Sequence, residues 1–130
     1  MKTPEYDPQL ILVVDDVHEN RELAKIYLEK LGWRTLACES AESALRLLSG
    51  VTPGHILLDI KMPGMGGIAF ARVIRSTLDS ASTKIVGYTA HALSDEIKTI
   101  MDAGFDALLI KPVTYRDISD CFGNHGLEFL

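Results

Sequence analysis

The chain has 130 residues, 47% hydrophobic and 24% charged, with a net charge of −5. One domain of that length buries roughly two-thirds of the surface its unfolded chain exposes, and the acidic balance excludes the basic face that a nucleic-acid groove needs. No apolar run has membrane-spanning length, Met1–Glu5 does not lead into a signal-peptide core, and Cys38 and Cys121 lack metal-like spacing, which predicts a cytoplasmic domain whose reduced thiols are small apolar fillers.

Residues 1–9, with two prolines and three charges, read as an irregular lead-in. Leu10–Val14 is a short apolar run, hence a buried strand, stopped by Asp15-Asp16. Leu23, Ile26, Tyr27 and Leu31 keep helical spacing on one face, and Gly32 ends that helix, with Trp33 covering its end. Arg34–Cys38 is a partly alternating strand. Ser40 caps a second helix that turns Ala44, Leu45 and Leu48 inward, with Gly50 beyond its end. Val51–Gly54 reads as a turn. His55–Leu58 then runs straight into Asp59, and a Pro/Gly-rich loop follows, with Met62 and Met65 packed under it. A third helix spans about Gly67–Ser76, with Ile68, Ala71 and Ile74 on one face, and Asp79–Thr83 is a polar loop. Lys84–Tyr88 is a fourth strand ending in Thr89-Ala90-His91. Ser94 caps a helix that carries Ile97, Ile100 and Met101 and stops at Gly104. Ala107–Ile110 is a fifth strand ending in Lys111-Pro112, and Thr114 with Asp117 has the spacing of a capping box. Helical signal lasts to about Phe122, where Gly123–Gly126 breaks it. The remaining tail ends Leu127-Glu128-Phe129-Leu130, with Leu127 and Phe129 alternating like an edge strand.

Five strands alternating with five helices call for an α/β fold: a parallel sheet covered on both faces, doubly wound, in the flavodoxin-like order 2-1-3-4-5. In that topology Asp15-Asp16, Asp59, Thr89 and Lys111 each follow a different strand and meet at one edge. Carboxylates gathered there repel each other, and a hard divalent cation removes the repulsion. Oxygen donors with room for water suit Mg²⁺. Asp16 and Asp59 are assigned as direct ligands, with the Lys61 backbone carbonyl beside them, and Asp15 as a ligand through water or from behind. An Asp carboxylate can attack a phosphoryl group, and catalysis of that transfer is mostly positioning and charge neutralisation. Asp59 is the expected phosphoacceptor, Lys111 the point charge on a phosphoryl oxygen, and Thr89 a hydroxyl donor to another. A cis Lys111–Pro112 bond would aim the ammonium reproducibly. His18, His55 and His125 are too scattered to ligate a metal.

The acidic pair Asp15-Asp16, Asp59 followed by Met62-Pro63-Gly64-Met65, Thr89-Ala90, Gly104 and Lys111-Pro112, in this order and spacing, resemble the receiver domain of two-component response regulators over about residues 10–122. The resemblance implies Mg²⁺-dependent transfer from the phosphohistidine of a partner histidine kinase or histidine phosphotransfer protein to Asp59. It also implies slow loss to water, and a response that runs through Thr89 to the region after the fourth strand. Lys61, His91 and Ala90 occupy positions that flank such sites and tune the lifetime of the acyl phosphate. Receivers commonly carry Tyr or Phe three residues before the lysine; Leu108 stands there, so no ring can turn inward at that position. Tyr88 precedes Thr89, and strand alternation points its ring to the opposite face.

The expected protein is a single domain over residues 1–130, a single-domain regulator with no catalytic turnover beyond its own phosphorylation and dephosphorylation. Residues 123–130 form an atypical tail that either folds back on the domain or frays, or else makes a partner or homodimer contact. The resemblance implies that the family's usual contact face, built from the fourth helix, fifth strand and fifth helix, carries the signal to an output protein or forms a homodimer, and neither nucleic acid nor membrane is a partner. A receiver fragment of a hybrid histidine kinase is the nearest alternative. A metal-dependent phosphatase with an Asp nucleophile would carry a second Asp where Lys61 stands. A flavodoxin-like cofactor carrier would have a Ser/Thr/Gly-rich loop where Asp15-Asp16 stands, and a receiver-shaped module that is never phosphorylated would not need the complete acidic set.

Overall fold

Apolar runs that end in polar or Gly-rich turns become strands, and amphipathic stretches between them become crossover helices. In the computed structural model, which describes residues 5–77, 83–90 and 93–123, the elements are β1 (Glu5–Val14), α1 (His18–Lys30), β2 (Arg34–Cys38), α2 (Ala41–Leu48), β3 (Val51–Asp59), α3 (Gly67–Thr77), β4 (Lys84–Thr89), α4 (Ser94–Asp102), β5 (Ala107–Ile110) and α5 (Tyr115–Phe122). The strands form one parallel sheet in the order β2-β1-β3-β4-β5, as the alternation of elements predicts. All five carboxyl ends therefore open on one edge.

Each face of the sheet has its own core. Leu12, Leu58, Ile85 and Phe70 pack with α2, α3 and α4, whereas Ile11, Leu57, Leu28 and Ile118 pack with α1 and α5. The central strands are buried on both sides, which explains their unbroken apolar runs. Leu108 packs against the first cluster and Tyr88 belongs to the second. Cys38 and Cys121 are free; burial pushes the Cys38 thiol up to about 11 and raises Cys121 too, in keeping with small apolar fillers. Among the described residues no helix is long and apolar enough to cross a membrane.

Several local expectations are corrected. The lead-in is not irregular throughout: β1 starts at Glu5 and pairs with Val51–Pro53, so the residues read as a turn are the first part of β3. A register shift between Asp7 and Ile11 accommodates Pro8, and a Cβ at Gly54 would stand 2.5 Å from the Pro8 carbonyl oxygen, so only glycine lets the two strands approach there. On α1 the buried residues are Ala24 and Leu28, while Leu23 and Ile26 face solvent at 43% and 52% exposure. On α4 only Ile100 is buried; Ile97 and Met101 are exposed. Leu93, not Ser94, holds the N-cap position of α4, where its backbone N–H donates to Glu96 Oε2 at 3.4 Å. Trp33 reaches past the end of α1: its Nε1–H donates to the Gly123 carbonyl at 3.1 Å, and its ring meets His55 edge-on. The Ser40 cap and the Thr114–Asp117 capping box form as expected. Most of the Asp79–Thr83 loop, His91, and the tail from Asn124 lie outside the described residues.

Candidate functional site

The carboxyl ends of β1, β3, β4 and β5 deliver carboxylates, a hydroxyl and an ammonium to one rim. Asp15 follows β1 directly and is fully buried; its Oδ1 accepts the Val17 N–H at 2.9 Å, an Asx-type turn that fixes the carboxylate. The Arg21 guanidinium clamps the same turn by donating to the Asp15 carbonyl at 2.9 Å. Asp16 is exposed, Asp59 is 4% exposed at the end of β3, and oxygens of all three carboxylates lie within 4.8 Å of one another. Hard oxygen donors gathered this closely fit Mg²⁺ better than a softer metal.

Lys111 enters from the far side of the sheet. Its Nζ lies 3.3 Å from Asp59 Oδ1 and 3.5 Å from Asp15 Oδ2. Its backbone N–H donates to the Thr89 carbonyl at 2.8 Å, which anchors the lysine where β5 leaves the sheet; the Lys111–Pro112 peptide bond is cis. Thr89 is buried at the end of β4, with Ala90 exposed beside it. Lys61 is exposed, and its backbone N–H donates to Asp59 Oδ1 at 3.3 Å, which keeps the loop backbone against the carboxylate.

The loop after β3 is held from two directions. The Met65 N–H donates to Glu42 Oε2 at 3.3 Å, and the Gly67 N–H donates to the Ile60 carbonyl at 2.9 Å. A Cβ at Gly67 would lie 2.5 Å from the Asp59 carbonyl oxygen, so α3 can start this close to the acceptor strand only from a glycine.

Burial, and then the neighbouring Asp15 charge, push the Asp59 carboxyl up to about 7, with Lys111 pulling the other way. One ammonium does not neutralise three clustered carboxylates, and the group best placed to remove the residual repulsion is a cation among the oxygens. The Tyr88 hydroxyl, which sequence alternation turns away from Thr89, donates to Asp15 Oδ2. Burial, and then that hydrogen bond, push the phenol upward, so it remains a donor at neutral pH. Asp15, Asp16, Asp59, Thr89 and Lys111 are thus gathered on the rim that the topology requires, and Lys61 meets Asp59 through its backbone N–H. Arg21 and Glu42 carry no signal in the sequence, whereas Tyr88 adjoins the strand-end hydroxyl and strand alternation, which turns its ring away, hides the contact of its hydroxyl with Asp15.

Residues 11–122 match the response regulator receiver domain family. Among curated proteins the chain is similar to the sensor histidine kinase RcsC of Salmonella typhimurium, at 36% identity over 108 residues, covering 83% of this chain and 11% of that protein. It is similar also to the sensor histidine kinase AruS of Pseudomonas aeruginosa, at 35% identity over 118 residues, covering 89% of this chain and 12% of that one. The chain thus spans about a tenth of the length of these curated relatives. Among solved structures, a CheY-like response regulator receiver domain protein from Methanospirillum hungatei aligns with TM-score 0.79 and 27% identity, covering 86% of this chain and 88% of that one. The Vibrio cholerae chemotaxis protein CheY4 shares the fold at TM-score 0.82 and 21% identity, over 86% of this chain and 93% of that one. With its sheet order, its acidic rim and the lysine at the end of β5, the chain belongs to the response regulator receiver domain family of two-component signalling.

Proposed function

We propose that this receiver accepts a phosphoryl group on Asp59 from the phosphohistidine of a histidine kinase or histidine phosphotransfer protein, with Mg²⁺ as the required ion. The observation that carries the reading is the position of the Lys111 ammonium, 3.3 Å from Asp59 Oδ1 and 3.5 Å from Asp15 Oδ2, over three carboxylates whose oxygens lie within 4.8 Å of one another. Asp16 and Asp59 would hold the ion with the Lys61 carbonyl, and Asp15 would support it from behind. When bound, Mg²⁺ neutralises charge on the carboxylates and on the incoming phosphoryl oxygens.

Asp59 supplies the nucleophilic oxygen. A new O–P bond forms as the P–N bond of the donor imidazole breaks, and the ring, carrying a proton on its other nitrogen, leaves with the electron pair as neutral imidazole. Lys111 needs only a small displacement to leave the carboxylate for a phosphoryl oxygen, where it acts as a point charge. The Thr89 hydroxyl, buried at the neighbouring strand end, donates to another oxygen and carries the change into the start of α4. Lys61 and Ala90, exposed after β3 and β4, together with His91, tune access of water to the acyl phosphate.

The likeness to receivers within sensor histidine kinases supports a phosphorelay setting, in which Asp59 later hands its phosphoryl group to a histidine on a partner; a single-domain regulator performs the same first step. Intact-mass measurement after incubation with a small phosphodonor and Mg²⁺ tests the proposal. The native chain gains one phosphoryl group, and Asp59→Asn and the native chain with chelator gain none. Equal gain by Asp59→Asn removes Asp59 from the reaction.

A further inference from the structure

Tyr88 stands one residue before the strand-end threonine, on the face covered by α1 and α5, and is 3% exposed. Its hydroxyl nevertheless returns to the rim and donates to Asp15 Oδ2. The same oxygen lies 3.5 Å from Lys111 Nζ, which also stands 4.6 Å from the centroid of the Tyr88 ring. Asp15 Oδ1 is already engaged by the Val17 N–H at 2.9 Å. Both oxygens of the most buried carboxylate in the pocket are therefore occupied by donors from the protein itself.

We infer that Tyr88 is a positioning residue of this site, whose hydroxyl holds Asp15 Oδ2 in competition with the divalent cation and so weakens cation binding. The inference rests on the reading of the rim as a Mg²⁺-assisted phosphoacceptor site. A carboxylate oxygen that accepts an O–H has part of its charge neutralised and a lone pair occupied. A cation drawn to Asp15 must share that oxygen or displace the hydroxyl. Displacement is sterically open, because the ring also walls a cavity of about 320 Å³ beside Ala24, Tyr27 and Ile118. Leu108 has no ring to offer from the opposite face, and Tyr88 is an aromatic side chain of this rim whose polar atom touches the acidic pocket.

The test is calorimetric titration of Mg²⁺ into the native chain and into Tyr88→Phe, without phosphodonor. The substitution keeps the ring under Lys111 and removes only the hydroxyl. Tyr88→Phe is expected to bind Mg²⁺ about ten- to a hundredfold more tightly, the scale of one hydrogen bond to a charged acceptor. The gain should vanish when Tyr88→Phe is made in an Asp15→Asn background, since the two groups act through one contact. A tyrosine ultraviolet difference signal on adding Mg²⁺ is expected in the native chain and absent in Tyr88→Phe. Unchanged or weaker Mg²⁺ binding by Tyr88→Phe overturns the inference, and so does an equal gain in the Asp15→Asn background. If Mg²⁺ affinity responds as stated while Asp59 takes up no phosphoryl group, the phosphoacceptor reading falls and the role of Tyr88 stands. If Asp59 is phosphorylated while Tyr88→Phe binds Mg²⁺ like the native chain, the role of Tyr88 falls alone.

Discussion

At the amino end of the strands one arginine is wrapped by acceptors, whereas at the carboxyl end the two buried members of a three-carboxylate cluster share one ammonium. Arg75, in the last turn of α3, donates from Nε and Nη2 to the Gly104 carbonyl at 3.0 and 2.8 Å and from Nη1 to the Thr83 carbonyl at 2.8 Å. Its Nη2 also pairs with Asp106 Oδ2 at 2.8 Å, and that carboxylate accepts the Ile85 N–H at 2.8 Å. The cluster joins the end of α3 to the starts of β4 and β5, and its donors and acceptors are matched. At the other end, Asp15 and Asp59 are buried beside each other and both ion pairs come from Lys111. Matched polar groups lower the energy of the fold, while mismatched buried charge raises it and persists where chemistry uses it. The two ends thus divide structural from chemical electrostatics.

Substitutions that separate activity from stability sharpen this contrast. The largest effect is expected from Lys111→Met, which should lower the rate of phosphoryl transfer to Asp59 by about 10²-fold, the scale of removing one charged donor from a transition state. Phosphorylation time courses by intact mass would measure it, and a rate within twofold of native would deny Lys111 its role at the carboxyl end. Arg75→Met should show the converse: unfolding in urea at a lower midpoint, with a loss of about 2–3 kcal/mol from two backbone carbonyls and a carboxylate left without their donor. Its phosphorylation rate should stay near native, and a large fall would mean that the amino end also serves the chemistry.

A third effect is pH-dependent. The Asp59 carboxyl is raised from its usual 3.8 to about 7, so the folded state holds this proton more tightly than the unfolded one. Its contribution to stability is complete below the unfolded value near 3.8 and is lost as pH rises to about 7. In metal-free buffer at pH 8, Asp59→Asn should therefore be more stable than the native chain by on the order of 2 kcal/mol, with the two converging near pH 4. Added Mg²⁺ should stabilise the native chain more than the variant, because it binds the folded carboxylate cluster. Denaturation midpoints across pH, with and without Mg²⁺, would decide it; a destabilised Asp59→Asn at pH 8 would break the contrast. The smallest effect is expected at the exposed Arg34–Asp7 pair, where Arg34→Ala should change stability by about 0.5 kcal/mol or less.

The order of elements, the sheet topology and the membership of the rim were legible in the sequence. Short apolar runs stop at Asp15, Asp59, Thr89 and Lys111, and right-handed crossovers leave a parallel sheet only one edge for those stops to share. Local chemistry also announced the Ser40 cap and the Thr114–Asp117 box, because a cap is a contact over three residues. Tertiary structure decided the rest. Pro8, Pro53 and Gly54 read as breakers, yet a bulge and one close backbone approach make them strand. On α1 and α4 more apolar residues than one stripe can hold compete for the interior, and packing against the sheet selected Ala24, Leu28 and Ile100. The Tyr88–Asp15 bond and the Arg75 cluster join residues 73 and 29 positions apart. Such contacts leave no periodicity in the chain, since they depend on where whole elements stop and which way a single side chain leans once the sheet is built.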